Sequence, residues 1–457
     1  MRILLISTYE LGHQPLHVAV PASALLAAGH DVRCVDVSVD MLEMSCVDWA
    51  DRVALSVPMH TAMRLALRVA ERIRSRCPDL PICFYGLYAQ ASRALTLRSE
   101  GDAVIAGEYL SGLVSWAGGR DPGPTPQLAR SRAPVPARHL LPPLDRYARL
   151  AVADEERPAA AVEATRGCSH RCRHCPVPVV YDGRVRGVDE AALVADVDQL
   201  VEAGVRHLTF ADPDFLNTPS HSRRVVSAVH ARHPDLTFDC TTKVEHVLRH
   251  AGMWPELAES GCVFVVSAFE SVSEAVLGNL AKGHTVAEAS AAVALLREHG
   301  IEVRPSWLPF TPWTTVEDLV ALLDFVVAHD LVPNVDPVQY TVRLLLPEGS
   351  LLLGSEAMAS HLGPYDPDRL GWTWSHPDPG LDLLQQELAT LVEQRVDQEA
   401  PRTFDEIDAL VRAKVSPFRP APPRGSASRG PAGERAHLTE PWFCCSEPTG
   451  SQLAPLG

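Results

Sequence analysis

The stretch Ala164-Thr-Arg-Gly-Cys168-Ser-His-Arg-Cys172-Arg-His-Cys175 decides the fold of this chain. Its three cysteines are spaced C-x3-C-x2-C and follow a short apolar run, residues 159–162, that predicts a strand. Three thiolates on one loop can hold three irons of a cubane [4Fe-4S] cluster, which leaves the fourth iron open to another ligand. A closed zinc site needs four protein ligands. Because His170 or His174 could supply the fourth, zinc stays open as an alternative.

A cysteine loop of this spacing, after the first strand of a βα domain, resembles the radical S-adenosylmethionine (SAM) superfamily. The resemblance implies that the open iron binds the amino and carboxyl groups of SAM, and that one electron from the cluster cleaves a carbon–sulfur bond. It also implies a partial (β/α)6 barrel. Six strand patterns support this expectation, at residues 159–162, 207–210, 237–241, 263–268, 301–307 and 338–345. The radical SAM core is therefore expected over residues 159–355.

Polar residues follow the second and third predicted strands of this barrel. Asp212 and Asp214 come directly after residues 207–210, where the family places groups that bind the SAM amino group. An Asx turn with a helix cap is the alternative for an Asp-Pro-Asp sequence. Lys243 follows the third strand and would suit the SAM carboxylate, with a surface ion pair as its alternative.

The segment after the fourth predicted strand carries a second resemblance. It runs Glu270-Ser-Val-Ser-Glu-Ala-Val-Leu277 and continues to Lys282-Gly-His-Thr285. This pattern resembles a segment shared by methylthiotransferases and B12-type radical SAM enzymes. The resemblance implies that Glu270 and Ser271 lie near the ribose and methionine parts of SAM. The alternative for Ser271 is capping of the following helix.

The first 118 residues alternate strand and helix patterns, which predicts a doubly wound parallel sheet. The expected strands are residues 2–7, 31–37, 52–57, 81–85 and 102–106. This half resembles the Rossmann-like cobalamin-binding domain often fused ahead of radical SAM domains. Members that supply an axial histidine carry D-x-H-x-x-G after the first strand, whereas this chain reads Thr8-Tyr-Glu-Leu-Gly-His-Gln-Pro15. His13 is therefore interpreted as a loop histidine, and cobalamin bound without a protein ligand stays open.

Composition limits the function classes. The chain has 457 residues with 46% hydrophobic residues, which predicts a globular protein of two to three domains. A net charge of −16 argues against a nucleic-acid partner, and no apolar run is long enough to span a membrane. Eleven cysteines without an export signal predict a reducing cytoplasm and metal or redox chemistry. The expected partners are a small-molecule substrate and an electron donor such as flavodoxin or ferredoxin.

Three further segments complete the predicted organisation: a Pro-rich linker at residues 119–158, a helical extension at 356–415 and a disordered tail at 416–457. The tail contains Trp442-Phe-Cys444-Cys445-Ser-Glu-Pro, which resembles the tail that names the CUAEP/CCAEP radical SAM proteins. Vicinal thiols bind soft, thiophilic centres. Cys444 and Cys445 are therefore predicted to handle a substrate atom, with arsenic or selenium chemistry as the sharpest version.

Three functions remain open at this point. The first is a radical SAM enzyme that modifies a small molecule held by the cysteine pair. The second is a cobalamin-dependent radical SAM C-methyltransferase. The third is a non-catalytic iron–sulfur or thiol sensor.

Overall fold

A five-stranded parallel sheet organises the amino-terminal domain in the computed structural model. The structure describes residues 1–92, 97, 102–153, 155–396, 398–415 and 435–440. The strand order is β2-β1-β3-β4-β5, and every neighbouring pair is parallel. This is one of the two common orders of doubly wound sheets. The strands are β1 (Arg2–Ser7), β2 (Asp31–Asp36), β3 (Arg52–Ser56), β4 (Ile82–Tyr85) and β5 (Ala103–Ile105).

Helices cover both faces of this sheet, which explains the unbroken apolar strands. Along β1, Leu4 and Ile6 pack on one face, while Ile3 and Leu5 pack on the other. The described helices are α1 (Leu16–Ala27), α2 (Met44–Trp49), α3 (His60–Arg76) and α4 (Leu110–Ala117). The predicted doubly wound fold is confirmed.

A seven-stranded sheet organises the second half, in the order β13-β12-β11-β10-β7-β6-β16. Its first five members are parallel to one another and form the curled sheet of a partial barrel. Alternate residues of these strands pack with the surrounding helices in one large core. The parallel strands are β7 (Glu155–Val162), β10 (His207–Phe210), β11 (Thr237–Thr242), β12 (Cys262–Glu270) and β13 (Glu302–Trp307).

The helices of the second half mostly alternate with those strands. A short antiparallel pair, β8 (Thr165–Gly167) and β9 (Val185–Gly187), brackets the cysteine loop. The helices are α5 (Val177–Tyr181), α6 (Glu190–Glu202), α7 (Pro219–Arg232), α8 (Val244–Arg249), α9 (Trp254–Glu259), α10 (Glu274–Leu280), α11 (Val286–Glu298) and α12 (Val316–Ala328). Beyond the barrel lie α13 (Glu356–Ala359), β14 (Leu362–Asp366), β15 (Gly371–Trp374), α14 (Pro379–Gln394) and α15 (Ala400–Val415). No helix in the described part of the chain has the length and apolar character needed to cross a membrane.

The prediction of a sixth barrel strand at residues 338–345 is wrong. Residues Pro337–Thr341 form a 3-10 helix instead, opened by the proline, whose fixed φ favours a turn. Only an isolated parallel bridge between Phe310 and Arg343 continues the sheet at this position. The barrel therefore ends at β13 on this side.

The linker and tail expectations also need correction. β6 (Arg149–Val152) lies within the linker and pairs antiparallel with β7, despite the density of prolines nearby. β16 (His437–Leu438), within the tail predicted to be disordered, pairs in turn with β6. Burial explains both departures, because Leu150, Phe264 and Ala436 form one apolar cluster inside the curled sheet.

Candidate active site

The cysteine loop begins at the carboxyl end of the barrel, just after β8. Cys168 and Cys172 are buried and Cys175 is half-buried, and all three are free thiols. Gly167 leads into the loop with φ +76°, and a Cβ there would lie 2.2 Å from the carbonyl oxygen of Arg184. Only glycine fits this turn, which leads β8 directly into the cysteine loop.

The charges around the cysteines suit a metal cluster. Burial raises the pKa of Cys168 and of Cys175, and the neighbouring thiols raise them further. Buried thiolates therefore need a cation, which cluster irons supply. The nearby ammonium of Lys282 also favours the thiolate, as a cation would, because it lowers the pKa of Cys175. The three thiols thus fit an iron–sulfur cluster.

The two histidines that could have completed a zinc site contact other side chains. His174 Nε2 lies 3.3 Å from Glu270 Oε1, and His170 Nε2 lies 3.1 Å from His246 Nε2. Burial and the charge of Lys243 lower the pKa of His170 to about 4, so this imidazole is neutral at pH 7.

The two aspartates after β10 have different surroundings. Asp212 is buried and accepts hydrogen bonds from Ala164 N at 2.9 Å and Thr165 Oγ1 at 2.5 Å. Burial raises its pKa to about 7 despite these donors. Asp212 thus ties the end of β10 to the start of the cysteine loop. Asp214 is fully buried and lies 2.8 Å from His246.

Glu270, Lys282 and His174 form a charged group beside the cysteines. Glu270 ends β12 with φ +64°, a left-handed conformation that is unusual for a residue with a Cβ. Its Oε1 accepts a hydrogen bond from Lys282 Nζ at 3.1 Å. Burial would raise the pKa of Glu270, but Lys282 and His174 outweigh it and hold that pKa well below its usual range. Glu270 is therefore an anion at the barrel mouth.

Ser271 and Lys243 complete the predicted SAM contacts. Both side chains are buried. Ser271 Oγ accepts a hydrogen bond from Ser273 N at 3.1 Å, so it orders the chain just before α10. Lys243 Nζ lies 3.4 Å from Glu245 Oε2, so it does form an ion pair, but the lysine is buried and the pair is not the surface pair given as its alternative. The structure thus brings Glu270, Lys282 and the cysteines together, and the SAM role of these residues stays a prediction.

A buried network joins the first domain to the cysteine loop, and sequence reasoning missed it. Arg166, two residues before Cys168, lies 2.5 Å from Glu163 and 3.4 Å from Glu108. Tyr181, in α5, donates a hydrogen bond to Glu108 at 3.1 Å. The signal was available, because Glu108 follows β5 at the sheet edge where doubly wound folds bind ligands.

The apolar contacts at this junction agree with the polar ones. Ala106, which follows β5, belongs to the same buried cluster as Cys168, Val177 and Val180. The ligand-binding edge of the first sheet therefore faces the cysteine loop of the second.

That edge also offers a polar group for a ligand. The Tyr109 hydroxyl is buried and has no hydrogen-bond partner among the described residues. An unsatisfied buried hydroxyl is costly unless a ligand or water pairs with it. Tyr109 therefore fits a polar ligand bound at this edge, as the amide-bearing cobalamin ring would be.

His13, in the loop after β1, is buried, and burial lowers its pKa to about 4. The groups that act on this pKa include Asp239 and His207, on β11 and β10 of the barrel, and Glu10 in its own loop. His13 thus lies near barrel residues, and its interpretation as a loop histidine stays a prediction.

Cys444 and Cys445 lie outside the described residues. The segment just before them, residues 435–440, is held at several points. Arg435 pairs with Asp330, and Tyr9 donates a hydrogen bond to Glu440 at 3.0 Å. The chain thus leaves the described part beside the loop after β1.

Comparison with known families identifies two domains. Residues 2–113 match the B12 binding domain, and residues 162–326 match the radical SAM superfamily. The chain thus carries a B12 binding domain followed by a radical SAM domain. Its cofactors are a [4Fe-4S] cluster, SAM and cobalamin. The resemblance to the tail-bearing CUAEP/CCAEP proteins is a finer statement and stays a prediction.

Curated relatives and solved structures are similar to the chain at low identity. An uncharacterized methyltransferase of Pyrococcus horikoshii is 24% identical over 260 residues, 55% of this chain and 54% of the relative. Hopanoid C-3 methylase of Methylococcus capsulatus is 23% identical over 328 residues, 66% of this chain and 62% of the relative. The chain thus spans between half and two thirds of their lengths.

Two solved structures share the fold over most of the chain. The cobalamin-dependent radical enzyme OxsB, with aqua-cobalamin and SAM bound, superposes with a TM-score of 0.65 at 15% identity, over 86% of this chain and 67% of that one. The radical SAM methyltransferase TsrM from Kitasatospora setae gives 0.64 at 16% identity, over 85% and 88%.

Proposed function

We propose that this chain is a cobalamin-dependent radical SAM methyltransferase that acts on carbon in a small molecule. The observation that carries the proposal is the junction between the two domains. Glu108 and Ala106, at the ligand edge of the first sheet, contact Tyr181 and Cys168 of the cluster region. A ligand at that edge is therefore a neighbour of the cysteine loop, as methyl transfer between the two cofactor sites requires.

The chain's own residues have separate roles in this proposal. The three loop cysteines hold the cluster, and Lys243, Glu270 and Ser271 contact SAM. Asp212 positions the cysteine loop through Ala164 and Thr165, and we keep Asp214 as a SAM candidate. When bound, the cluster supplies the electron that cleaves SAM and cobalamin carries the methyl group. An electron donor of the flavodoxin or ferredoxin class is needed. We keep the domain limits 1–118 and 159–355, and the predicted helical extension at 356–415 also contains the antiparallel strand pair β14–β15.

The relatives support methyl transfer more than arsenic or selenium chemistry. Two of them are named as a methyltransferase and a methylase, and one structural neighbour is a methyltransferase. None of these names specifies a thiophilic substrate.

The cysteine pair of the tail keeps a place in the proposal as a substrate-handling element. Glu440 is anchored by Tyr9, and Cys444 follows four residues later. The structure describes the chain as far as Glu440, and the pair itself lies outside the described residues.

The test uses full-length protein with the cluster reconstituted, supplied with reductant, SAM and hydroxocobalamin. We expect 5′-deoxyadenosine from reductive cleavage of SAM, and S-adenosylhomocysteine only when cobalamin is present. Formation of 5′-deoxyadenosine without S-adenosylhomocysteine would show that the protein cleaves SAM but does not transfer methyl groups, which contradicts the proposal. Neither product would favour the sensor hypothesis. The Cys172→Ala variant is the negative control for both products.

A further inference from the structure

Three polar side chains converge beside the cysteine loop, and only Asp214 among them has a role in the proposed function, as a SAM candidate. His170 lies in the loop itself, Asp214 follows β10, and His246 lies in α8. One ligand atom from each lies within 4.8 Å of the other two. Three separate elements thus bring two imidazoles and a carboxylate to one point.

The hydrogen bonding of this group is incomplete. Asp214 Oδ2 and His246 Nδ1 lie 2.8 Å apart, yet neither atom has a hydrogen bond of acceptable geometry in the described part of the chain. The Asp214 side chain is 0% exposed and that of His246 is 5% exposed. Two buried polar atoms that approach closely without bonding each other are costly. A metal ion bound by both atoms would satisfy them, at a ligand separation of about 3.3 Å for tetrahedral zinc. The other ring nitrogen of His246, Nε2, lies 3.1 Å from His170 Nε2.

The other oxygen of Asp214 is already occupied. Thr242 Oγ1 donates a hydrogen bond to Oδ1 at 2.7 Å, and Leu216 N donates a second at 3.2 Å. Such outer contacts fix the orientation of a ligating carboxylate. They leave Oδ2 facing the two histidines, with His170 Nε2 at 3.7 Å.

We propose that His170, Asp214 and His246 bind a divalent transition-metal ion, with Zn²⁺ as the ion that the donor set suits. Imidazole nitrogens and a carboxylate oxygen are the ligands of three-residue zinc sites, which keep a fourth position open. This open position lies next to the cluster loop, because His170 stands between Cys168 and Cys172. A water molecule or a carboxylate or amine of a bound small molecule would complete the coordination.

The local charge is compatible with a cation. Glu245 Oε2 lies 3.7 Å from His170 Nδ1 and offsets the charge of Lys243. The proposal also changes one assignment, because a metal-bound Asp214 is not free for the SAM ammonium. It does not depend on methyl transfer, since the ion and the iron cluster have different ligands.

The experiment measures metal content and coordination in full-length protein with its cluster reconstituted, after incubation with ZnSO₄ and removal of loose metal. We expect about one zinc per chain beside the cluster iron. Zinc K-edge X-ray absorption should show nitrogen and oxygen neighbours at about 2.0–2.1 Å, imidazole scattering and no sulfur. His246→Ala and Asp214→Asn should each lose the zinc and keep the iron. His250→Ala is the matched control, because its ring lies 5.5 Å from that of His246 but outside the group.

Three outcomes overturn the proposal. The first is wild-type protein that holds iron but no zinc. The second is zinc that survives both His246→Ala and Asp214→Asn, which places the ion elsewhere. The third is a sulfur shell around zinc, which places it on the cluster cysteines. A failure of the methyltransferase proposal is distinguishable, since it appears in the SAM products and leaves the zinc unchanged.

Discussion

Replacing Arg138 by methionine should destabilise the contact between the linker and the barrel. Arg138 and Asp196 are a buried pair, with side chains 6% and 4% exposed and a shortest contact of 2.8 Å. The guanidinium also donates to the carbonyl oxygens of Ala161 at 2.7 Å and Gln14 at 3.3 Å. Arg138→Met leaves the carboxylate of Asp196 buried without its charge partner, which costs about 3–5 kcal/mol.

The double variant Arg138→Met/Asp196→Leu separates the charge from the packing. It removes the stranded carboxylate, so the remaining loss is the two hydrogen bonds to backbone carbonyls and the one that Gln199 Nε2 donates to Asp196 at 2.7 Å. Each is worth about 0.5–1.5 kcal/mol, so the double variant should lose about 1.5–4.5 kcal/mol and stay more stable than the single variant. Arg232→Met is the matched control, because the exposed Arg232 pairs with the half-buried Asp198, which lies on the same helix (α6) as Asp196. Its loss should stay below about 1 kcal/mol.

Urea unfolding followed by tryptophan fluorescence measures these differences. With a slope of roughly 3 kcal/mol per molar urea, the midpoint of Arg138→Met should fall by about 1–1.7 M. The double variant should recover part of this shift. A single variant that unfolds at the wild-type midpoint, or a double variant less stable than the single one, would refute the charge argument.

Three further predictions concern the cluster, a buried carboxyl group and the anchored tail segment. Alanine at any one of the cluster cysteines, Cys168, Cys172 or Cys175, should remove the bound iron, which elemental analysis measures. A variant that keeps iron near four per chain would contradict the assignment. Burial raises the pKa of Asp36 to about 6, so the folded state favours its protonated form. As the pH rises from about 4 to 6, the free energy of unfolding of the wild type should fall by up to roughly 3 kcal/mol relative to that of Asp36→Asn, and the difference should stay constant above pH 6. A difference between the two proteins that does not change with pH in urea titrations would contradict this. Gly12→Ala should displace the anchored segment, because its Cβ would lie 2.5 Å from Glu440 Cβ. Limited proteolysis should then cut Gly12→Ala near residue 440 faster than the control variant Gly29→Ala. Gly29 has a similar φ, but a Cβ there would meet nothing within 4 Å. Equal cutting of the two variants would show that the anchor does not depend on this contact.

Local patterns carried much of the fold. Buried parallel strands are short apolar runs, so most strand limits in both sheets agree with the predicted ones to within one or two residues. The exceptions have two causes. The run at 338–345 is apolar enough for a strand, but the proline at 337 starts a 3-10 helix there. The sequences of β6 and β16 only weakly indicate strands, and these strands form because their side chains are buried against Phe264.

The site divides in the same way. Covalent spacing places three thiols on one short loop, so the cysteine spacing by itself predicts the cluster ligands. Together with the alternating strands and helices, it also predicted the class of fold. Which carboxylates are paired, and with what, depended on tertiary structure, because those partners lie far apart in the chain. Glu108 meets Arg166, and Asp214 meets His246, only once strands and helices pack. Burial then sets the charge of each group through its neighbours, and no local pattern encodes that environment.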